Sequence, residues 1–244
     1  MTAPDQRPPA AFALRAKLSL AAPALRTTTA ELWRRQGLGS RYARYLRTMH
    51  AVVRASVPLM EQAAAKCRQL GAGDPVADRL ARYLDEHAVE ERGHDDWLLA
   101  DLAAVGEDPA AALAEPPPPA VASLVGAQYY WIEHHHPVAL LGYIAVLEGN
   151  APAPWLADRL AALTGLPEAA FRTVRDHAEL DTGHVRALDE LLDTLPLTPA
   201  QERTVAVSAL HTADALTSLF ARLSRPPLTA APDHHGTPMT EEPT

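Results

Sequence analysis

Apolar residues recur along most of this chain at spacings of three and four, the period of an amphipathic α-helix, and no segment shows the two-residue alternation of a strand. One such pattern covers about residues 40–70, and Pro58 inside it predicts a kink. Asp74 followed by Pro75 predicts the start of another helix, which continues to about Val105. Further helices are predicted over about 28–36, 120–135, 138–148, 154–164, 167–195 and 199–223. The pattern therefore predicts an all-α protein.

Both ends of the chain lack a clear period. Residues 1–26 contain several prolines and are predicted to be loosely ordered. Residues 225–244 combine prolines with polar residues, which is typical of a disordered tail. One helical domain is therefore expected over residues 27–224.

Composition narrows the kinds of function. A formal net charge of −8, without a Lys/Arg cluster, argues against nucleic-acid binding. The single cysteine, Cys67, excludes an internal disulfide, a cysteine-based zinc site and an iron–sulfur cluster. No apolar run reaches the ~18 residues that span a membrane, and no convincing signal peptide is present. A soluble cytoplasmic protein with no membrane partner is expected.

A stripe of candidate metal ligands lies in the segment 177–184. His177, Asp181 and His184 follow the spacing i, i+4, i+7, which places two imidazoles and one carboxylate within about 60° on one helix face. A solvated or core polar face is the alternative interpretation, because His and Asp are common on helices.

The same spacing recurs at His87, Glu91 and His94. Within it, Glu91 and His94 form the Glu-x-x-His pair that supplies ligands in di-iron helical bundles. Two facing stripes would form a metal site inside a bundle, and the repetition favours that interpretation over a polar surface.

Glu148 is a third candidate. It ends the apolar run 138–147, so a buried position at a helix C-terminus is predicted. The helix macrodipole disfavours an anion there by about 0.3–1 kcal/mol, and burying an unpaired carboxylate costs several kcal/mol more. A bound cation would remove both costs, whereas the alternative is that Glu148 turns to solvent beside Gly149.

The ligand types limit the choice of metal. Histidine and carboxylate without thiolate suit Fe, Mn or Zn. Three histidines with three carboxylates can hold two metal ions, whereas zinc hydrolysis would use fewer ligands. Adjacent residues on a helix point in different directions, so at most one or two side chains of the histidine run 134–136 could face a shared site. Trp131 and Leu140 are predicted to line a substrate pocket.

The ligand pattern resembles that of the heme-oxygenase-like di-iron oxidases, also described as iron-containing redox enzymes. The resemblance covers about residues 40–224, and its most specific part is the His-x3-Asp-x2-His segment that begins at His177. It implies a seven-helix, all-α bundle of the heme-oxygenase/TenA-like type. The iron ligands that it implies are Glu91, His94, Glu148, His177, Asp181 and His184. His87 goes beyond the minimal pattern and is interpreted as an extra ligand or as a residue that supports one.

The resemblance also implies two Fe(II) ions as cofactor, O2 as co-substrate and a second iron that is weakly held. The expected function is an O2-activating non-haem di-iron oxidase or oxygenase acting on a small organic substrate, amino-acid-like or fatty-acid-like, in natural-product biosynthesis. An external electron donor is compatible with it, and a homodimer is expected from family likeness alone. Two alternatives stay open: a haem-degrading heme oxygenase, for which His50 is available, and a cofactor-free TenA-like protein with Cys67 as its nucleophile.

Overall fold

Helices account for the regular structure of residues 7–226, the part of the chain that the computed structural model describes, and these residues form no strand. The helices are α1 (Ala10–Leu32), α2 (Leu38–Val53), α3 (Ser56–Leu70), α4 (Ala77–Glu90), α5 (His94–Ala104), α6 (Pro109–Ala114), α7 (Pro119–His134), α8 (Leu140–Glu148), α9 (Leu156–Thr164), α10 (Arg172–Thr194) and α11 (Pro199–Ser224). Short 3₁₀ turns lie at Gly71–Gly73, Pro137–Ala139 and Glu168–Phe171. The predicted all-α class is confirmed.

Two of the predicted long helices are divided, which is one reason why this range holds eleven α-helical segments rather than seven. The first becomes α2 and α3, which are separated just before Pro58, where a kink was expected. The second becomes α4 and α5, and this break was not predicted. Gly93 adopts a φ of 88° there, a left-handed conformation that glycine reaches at little cost.

The N-terminal segment differs from its prediction, because residues 10–26 belong to α1 instead of being loosely ordered. Ala11, Leu14 and Leu25 are buried on one face of α1, which packs along α11. Their separations of three and eleven residues, close to one and three helical turns, are a helical signal that the prolines concealed.

Two predicted helix caps have different outcomes. Thr28, expected to begin a separate helix, lies inside α1 and donates a hydrogen bond to the carbonyl of Leu25. Thr198 and Gln201 do form the predicted capping box at the start of α11. The predicted tail, beyond Pro226, lies outside the described residues.

The hydrophobic core consists of two clusters that meet along α10. One joins residues of α1, α3, α4, α7, α8 and α11 and includes Leu188 of α10. The other joins α2, α5 and α9 and includes Val174 of α10. The polar segment 177–184 lies between these two positions, so its candidate ligands stand at the border of the two clusters.

Helix α8 is buried along most of its length, as its apolar sequence predicted. At Gly142 it approaches α11 so closely that a Cβ atom would lie 2.6 Å from the backbone nitrogen of Ala209. The missing side chain therefore permits α8 to enter the interior. Its last residue, Glu148, is only 9% exposed.

Candidate metal centre

The turn between α4 and α5 separates the residues of the first predicted stripe. His87 lies on α4, Glu91 follows the last residue of that helix, and His94 is the first residue of α5. Gly93 permits the turn through its positive φ. Contrary to the prediction, the three side chains therefore do not share the face of one continuous helix. They surround a turn that faces α10.

One group of candidate ligands consists of Glu91, His94 and His177, here named the His94 cluster. One ligand atom from each residue lies within 4.8 Å of the others. His94 Nδ1 is 3.2 Å from Glu91 Oε2, without the alignment of a hydrogen bond. His177 Nδ1 lies 2.9 Å from the carbonyl oxygen of Thr173. A proton on Nδ1 donates to that oxygen, which leaves Nε2 of His177 for a metal.

A second group consists of His87, Glu90 and His184, here named the His87 cluster. Glu90 Oε2 lies 3.6 Å from His87 Nδ1 and 3.5 Å from His184 Nε2. Glu148 adjoins this cluster, because its Oε1 lies 2.7 Å from His87 Nε2. His87 therefore contacts two carboxylates, one through each ring nitrogen.

His184 connects the two clusters. Its Nδ1 lies 3.8 Å from Glu91 Oε1, 3.8 Å from Glu148 Oε1 and 3.8 Å from Asp181 Oδ1. The seven candidate ligands predicted from the sequence, including His87 and Glu148, thus lie in one continuous group, which Glu90 extends.

Glu90 is the candidate ligand that sequence reasoning missed. On an uninterrupted helix it would point about 100° away from Glu91, so only one of the two would face a shared site. The two carboxylates instead belong to different clusters, as their different directions allow. The spacing of Glu90 from His87, three residues, is the signal that could have identified it.

Burial and negative charge dominate the electrostatics of the centre. Burial, reinforced by the carboxylates of Glu148 and Glu91, raises the pKa of Asp181 to about 8. Burial acts to lower the pKa of His87, but its hydrogen bond to Glu148 and the nearby negative charges outweigh burial and raise that pKa. Without a cation, these groups therefore retain protons that metal binding would release.

The pKa values of His177 and Glu91 are shifted towards the protonation states that bind metals. Burial lowers the pKa of His177 and keeps its imidazole neutral. Burial acts to raise the pKa of Glu91, but the interactions with His94 and His177 outweigh it, and the pKa is lowered. A neutral imidazole and an ionised carboxylate are the forms that bind metals.

Three buried polar atoms of the centre have no hydrogen-bond partner within residues 7–226. They are His94 Nδ1, His184 Nδ1 and Glu148 Oε2. Leaving such an atom unsatisfied costs about 1–3 kcal/mol. Imidazole nitrogens and carboxylate oxygens that converge in a buried centre are ligands that iron accepts, so the residues present fit an iron site.

Two contacts hold α5 and α10 together around the His94 cluster. Asp101 of α5 is fully buried and accepts a hydrogen bond of 3.0 Å from the backbone N–H of Thr173, in the first turn of α10. Trp97 of α5 stacks on His94 with 4.0 Å between ring centroids and meets His177 edge-on at 5.9 Å. These contacts orient both histidines.

A cleft of about 690 Å³ lies between α4 and α10 beside the His87 cluster. Tyr83 forms part of its wall and stacks on His87 with 5.6 Å between ring centroids. On α10 the lining begins at Ala187, one turn after His184. Burial raises the pKa of Tyr83, and its hydroxyl has no partner in the described chain. The cleft therefore adjoins the His87 cluster through the ring of Tyr83.

The predicted pocket residues make other contacts. Trp131 packs edge-on against His211 of α11, with 5.1 Å between ring centroids. Leu140 is buried in the core at the start of α8. A substrate pocket lined by these two residues stays a prediction.

The histidine run before α8 has structural contacts. His135 Nε2 lies 2.8 Å from Thr204 Oγ1 on α11, and His136 Nε2 lies 2.9 Å from Asp74 Oδ2 in the turn before α4. These contacts join the α7–α8 connection to its neighbours. Within residues 7–226, no helix combines the length and the apolar character needed to cross a bilayer.

Solved structures similar to this chain have a heme oxygenase-like fold. A domain of unknown function with that fold from Shewanella denitrificans has a TM-score of 0.72 at 18% identity, over 86% of this chain and 89% of that one. A TenA homologue from Pseudomonas syringae pv. tomato has a TM-score of 0.71 at 16% identity, over 88% and 93%. Heme oxygenase from Leptospira interrogans has a TM-score of 0.63 at 18% identity, over 88% and 100%. The heme-oxygenase-like fold is therefore confirmed.

The sequence itself narrows the class further. Residues 43–217 match the family described as iron-containing redox enzyme. This chain belongs to that family, and all its candidate ligands lie within the matched range. No curated protein matches the chain.

Proposed function

We propose that the protein is an O2-activating non-haem di-iron oxidase or oxygenase that acts on a small organic substrate. The observation that carries this proposal is the position of His184 Nδ1. It is buried, has no hydrogen-bond partner in the described chain, and lies 3.8 Å from both Glu91 and Glu148. Two adjacent ligand clusters that share such a histidine support a centre for two metal ions.

The two clusters divide the ligands between two ions. The His94 cluster would hold one iron, and the His87 cluster, with Glu148 and Asp181, would hold the other. The side chain of Glu90 is 59% exposed, so the second ion would be the more weakly held. When bound, two Fe(II) ions supply electrons and open coordination positions for the reduction of O2.

The protein's own residues prepare the centre for this chemistry. His87 orients Glu148 through Oε1, and the buried Oε2 has no partner in the described chain. Asp181 holds a proton at neutral pH until a cation displaces it. The two hydrophobic clusters exclude water from both sides of α10.

The substrate would enter through the cleft between α4 and α10. Tyr83 would form the wall between that cleft and the centre, because its ring lines the cleft and stacks on His87. An amino-acid-like or fatty-acid-like molecule of a natural-product pathway is the proposed substrate. An external electron donor and a homodimer stay predictions.

The alternatives have less support. Burial raises the pKa of Cys67 to about 12, so the nucleophile of a cofactor-free enzyme would be a protonated thiol at neutral pH. Heme oxygenase shares the fold, but a haem ligand such as His50 would leave the two clusters without a role. Titration with haem tests this alternative, because a His-ligated complex gives a strong Soret band.

Anaerobic loading with Fe(II), metal analysis and O2 uptake after mixing test the proposal. We expect close to two irons per chain. Substituting His177→Ala or His184→Ala should remove iron and O2 uptake together. His211→Ala, an exposed histidine packed on Trp131, is the matched control. Full retention of iron by both cluster variants would overturn the proposal.

A further inference from the structure

The N-terminal helix contacts two of the three helices that carry ligands to the proposed second ion, α8 and α10. Arg15 Nη2 and Nε lie 2.8 and 3.2 Å from Asp189 Oδ1 on α10. Arg15 Nη1 lies 3.4 Å from the carbonyl oxygen of Ala145 on α8. One side chain therefore joins the helix that ends in Glu148 to the helix that carries His184.

The guanidinium of Arg15 lies against the C-terminal end of α8. The next residue after Glu148 is Gly149, and a Cβ atom there would lie 2.8 Å from Arg15 Nη1. The negative end of the helix macrodipole and a buried carboxylate coincide at this point, and a cation favours both. Arg15 therefore offsets part of the cost of placing Glu148 at this helix end, and Gly149 leaves the room for it.

A second contact holds α1 in register with α10. Asp193 Oδ1 accepts a hydrogen bond of 2.8 Å from the backbone N–H of Ala11, in the first turn of α1. Asp189 and Asp193 are four residues apart and lie on the same side of α10. Because α1 is attached at both positions, the location of Arg15 is determined by its helix and not by its side chain alone.

The geometry points to Arg15 as a positioning residue of the metal centre: it holds the end of α8 at a set position against α10, so that Glu148 and His184 converge. This inference rests on the proposed function, because it assigns a role at the same centre. The family match begins at residue 43, beyond α1, so the contact is not among the features that define the family.

Two measurements on the full chain test this role. Amide hydrogen exchange of the metal-free protein reports the order of the α8 end independently of any metal. Titration with Co(II), a redox-inert substitute for Fe(II), reports how tightly each equivalent binds. The variants are Arg15→Ala and Arg15→Lys. Lys17→Ala is the control on the same helix, because Lys17 is exposed and its hydrogen bond within residues 7–226 is to the carbonyl of Ala13 on α1 itself.

In Arg15→Ala we expect faster exchange at residues 149–151, whose amides bond to the last turn of α8, while α11 keeps its protection. One Co(II) equivalent should bind about 10–100-fold more weakly, the effect typical of losing a residue that orients a ligand, and the other should be unchanged. Arg15→Lys should recover part of the affinity, since one ammonium can reach only one of the two helices at a time. Lys17→Ala should behave as the wild type.

Three results would overturn the role of Arg15. They are unchanged exchange at residues 149–151, unchanged Co(II) binding despite faster exchange, and a loss of protection throughout the fold with equal weakening of both equivalents. The last would show general destabilisation. If the wild-type protein itself failed to bind two Co(II) ions, the proposed function would be overturned, and the role in the centre with it, even where the exchange result held.

Discussion

His87 Nε2 lies 2.7 Å from Glu148 Oε1 in the interior, and this contact joins α4 to the end of α8. The pair satisfies one oxygen of a carboxylate that is buried at an unfavourable helix end, and it leaves the second oxygen unpartnered within the described chain. The unpartnered oxygen is therefore the one that a cation in the proposed centre would satisfy.

Substituting Glu148→Gln tests this relationship. Glutamine keeps the size of the side chain and can still accept a hydrogen bond from His87, but it removes the negative charge. We expect metal affinity to fall by at least about tenfold, and the rise of Tm on adding Co(II) to shrink, because ligand binding stabilises the native state by mass action. Differential scanning fluorimetry measures the Tm of the metal-free protein and of the protein with Co(II).

The metal-free Glu148→Gln variant should be at least as stable as the wild type. Glutamine removes a charge that is buried at a helix C-terminus, where burial and the helix macrodipole both disfavour an anion. Glu179→Gln, an exposed position on α10, is the matched control and should change neither Tm. An undiminished metal-induced shift in Glu148→Gln would contradict the assignment.

Trp97 provides a spectroscopic test of the His94 cluster. Its ring stacks on His94 with 4.0 Å between centroids, so a paramagnetic ion bound by that histidine should quench its fluorescence strongly. We expect Co(II) to quench part of the emission of the wild type and much less of the emission of Trp97→Phe. Trp155→Phe, in which a 57% exposed tryptophan is removed, should retain the quenching. Equal quenching in both variants would place the ion elsewhere.

The approach of α8 to α11 makes Gly142 sensitive to substitution. An added Cβ would lie 2.6 Å from the backbone nitrogen of Ala209 and 2.9 Å from Ser208 Cβ. Overpacking of this kind costs roughly 1–3 kcal/mol, so Gly142→Ala should lower the free energy of unfolding by about that amount. Urea denaturation measures it.

Gly126→Ala is the matched control for that substitution. Gly126 lies inside α7, and a Cβ there would meet no atom within 4 Å. Alanine is the better helix former, so this change should stabilise the protein by about 0.4–1 kcal/mol. Equal effects of the two substitutions would show that backbone propensity, and not the contact with α11, decides the cost at Gly142.

The buried thiol of Cys67 predicts a pH dependence of stability. Burial raises its pKa to about 12, whereas an unfolded chain has an ordinary thiol with a pKa of about 8.5. Above the unfolded value, the unfolded state binds fewer protons than the folded state, so stability falls as pH rises from about 8.5 towards 12. The destabilisation caused by Cys67→Ala should therefore shrink between pH 8 and pH 10.

Urea denaturation of both proteins at the two pH values measures the difference between their free energies of unfolding. That difference should decrease by about 1.4 kcal/mol for each pH unit above the unfolded pKa. Labelling with a thiol reagent at pH 8 is an independent check, and it should proceed only as fast as the native protein opens. A difference between the two proteins that stays constant with pH, or rapid native labelling, would contradict a buried and protonated Cys67.

Local rules account for much of what was predictable. The capping box at Thr198 involves atoms within three residues, and the helix break before Pro58 follows from the ring and the missing N–H of one proline. The candidate ligands on α10 share a face because the helical period alone determines their directions. The burial of α8 and of Glu148 at its end was predicted from the continuous apolar run 138–147, which is also a local property of the sequence.

The sequence by itself thus determined the helical class and the resemblance to iron-containing redox enzymes, and it selected seven candidate ligands that lie together in the fold. Only the tertiary structure decided that the chain turns at Gly93, because a glycine within a helical pattern can also continue the helix at a cost of about 1 kcal/mol, which packing contacts can outweigh. That turn places His94 on a different helix from His87, and the fold brings Glu90 of α4 beside His184 of α10. The proposed role of Arg15 depends on a contact with Asp189, 174 residues away along the chain. The helical period of a segment gives no information about which distant residues the fold brings together.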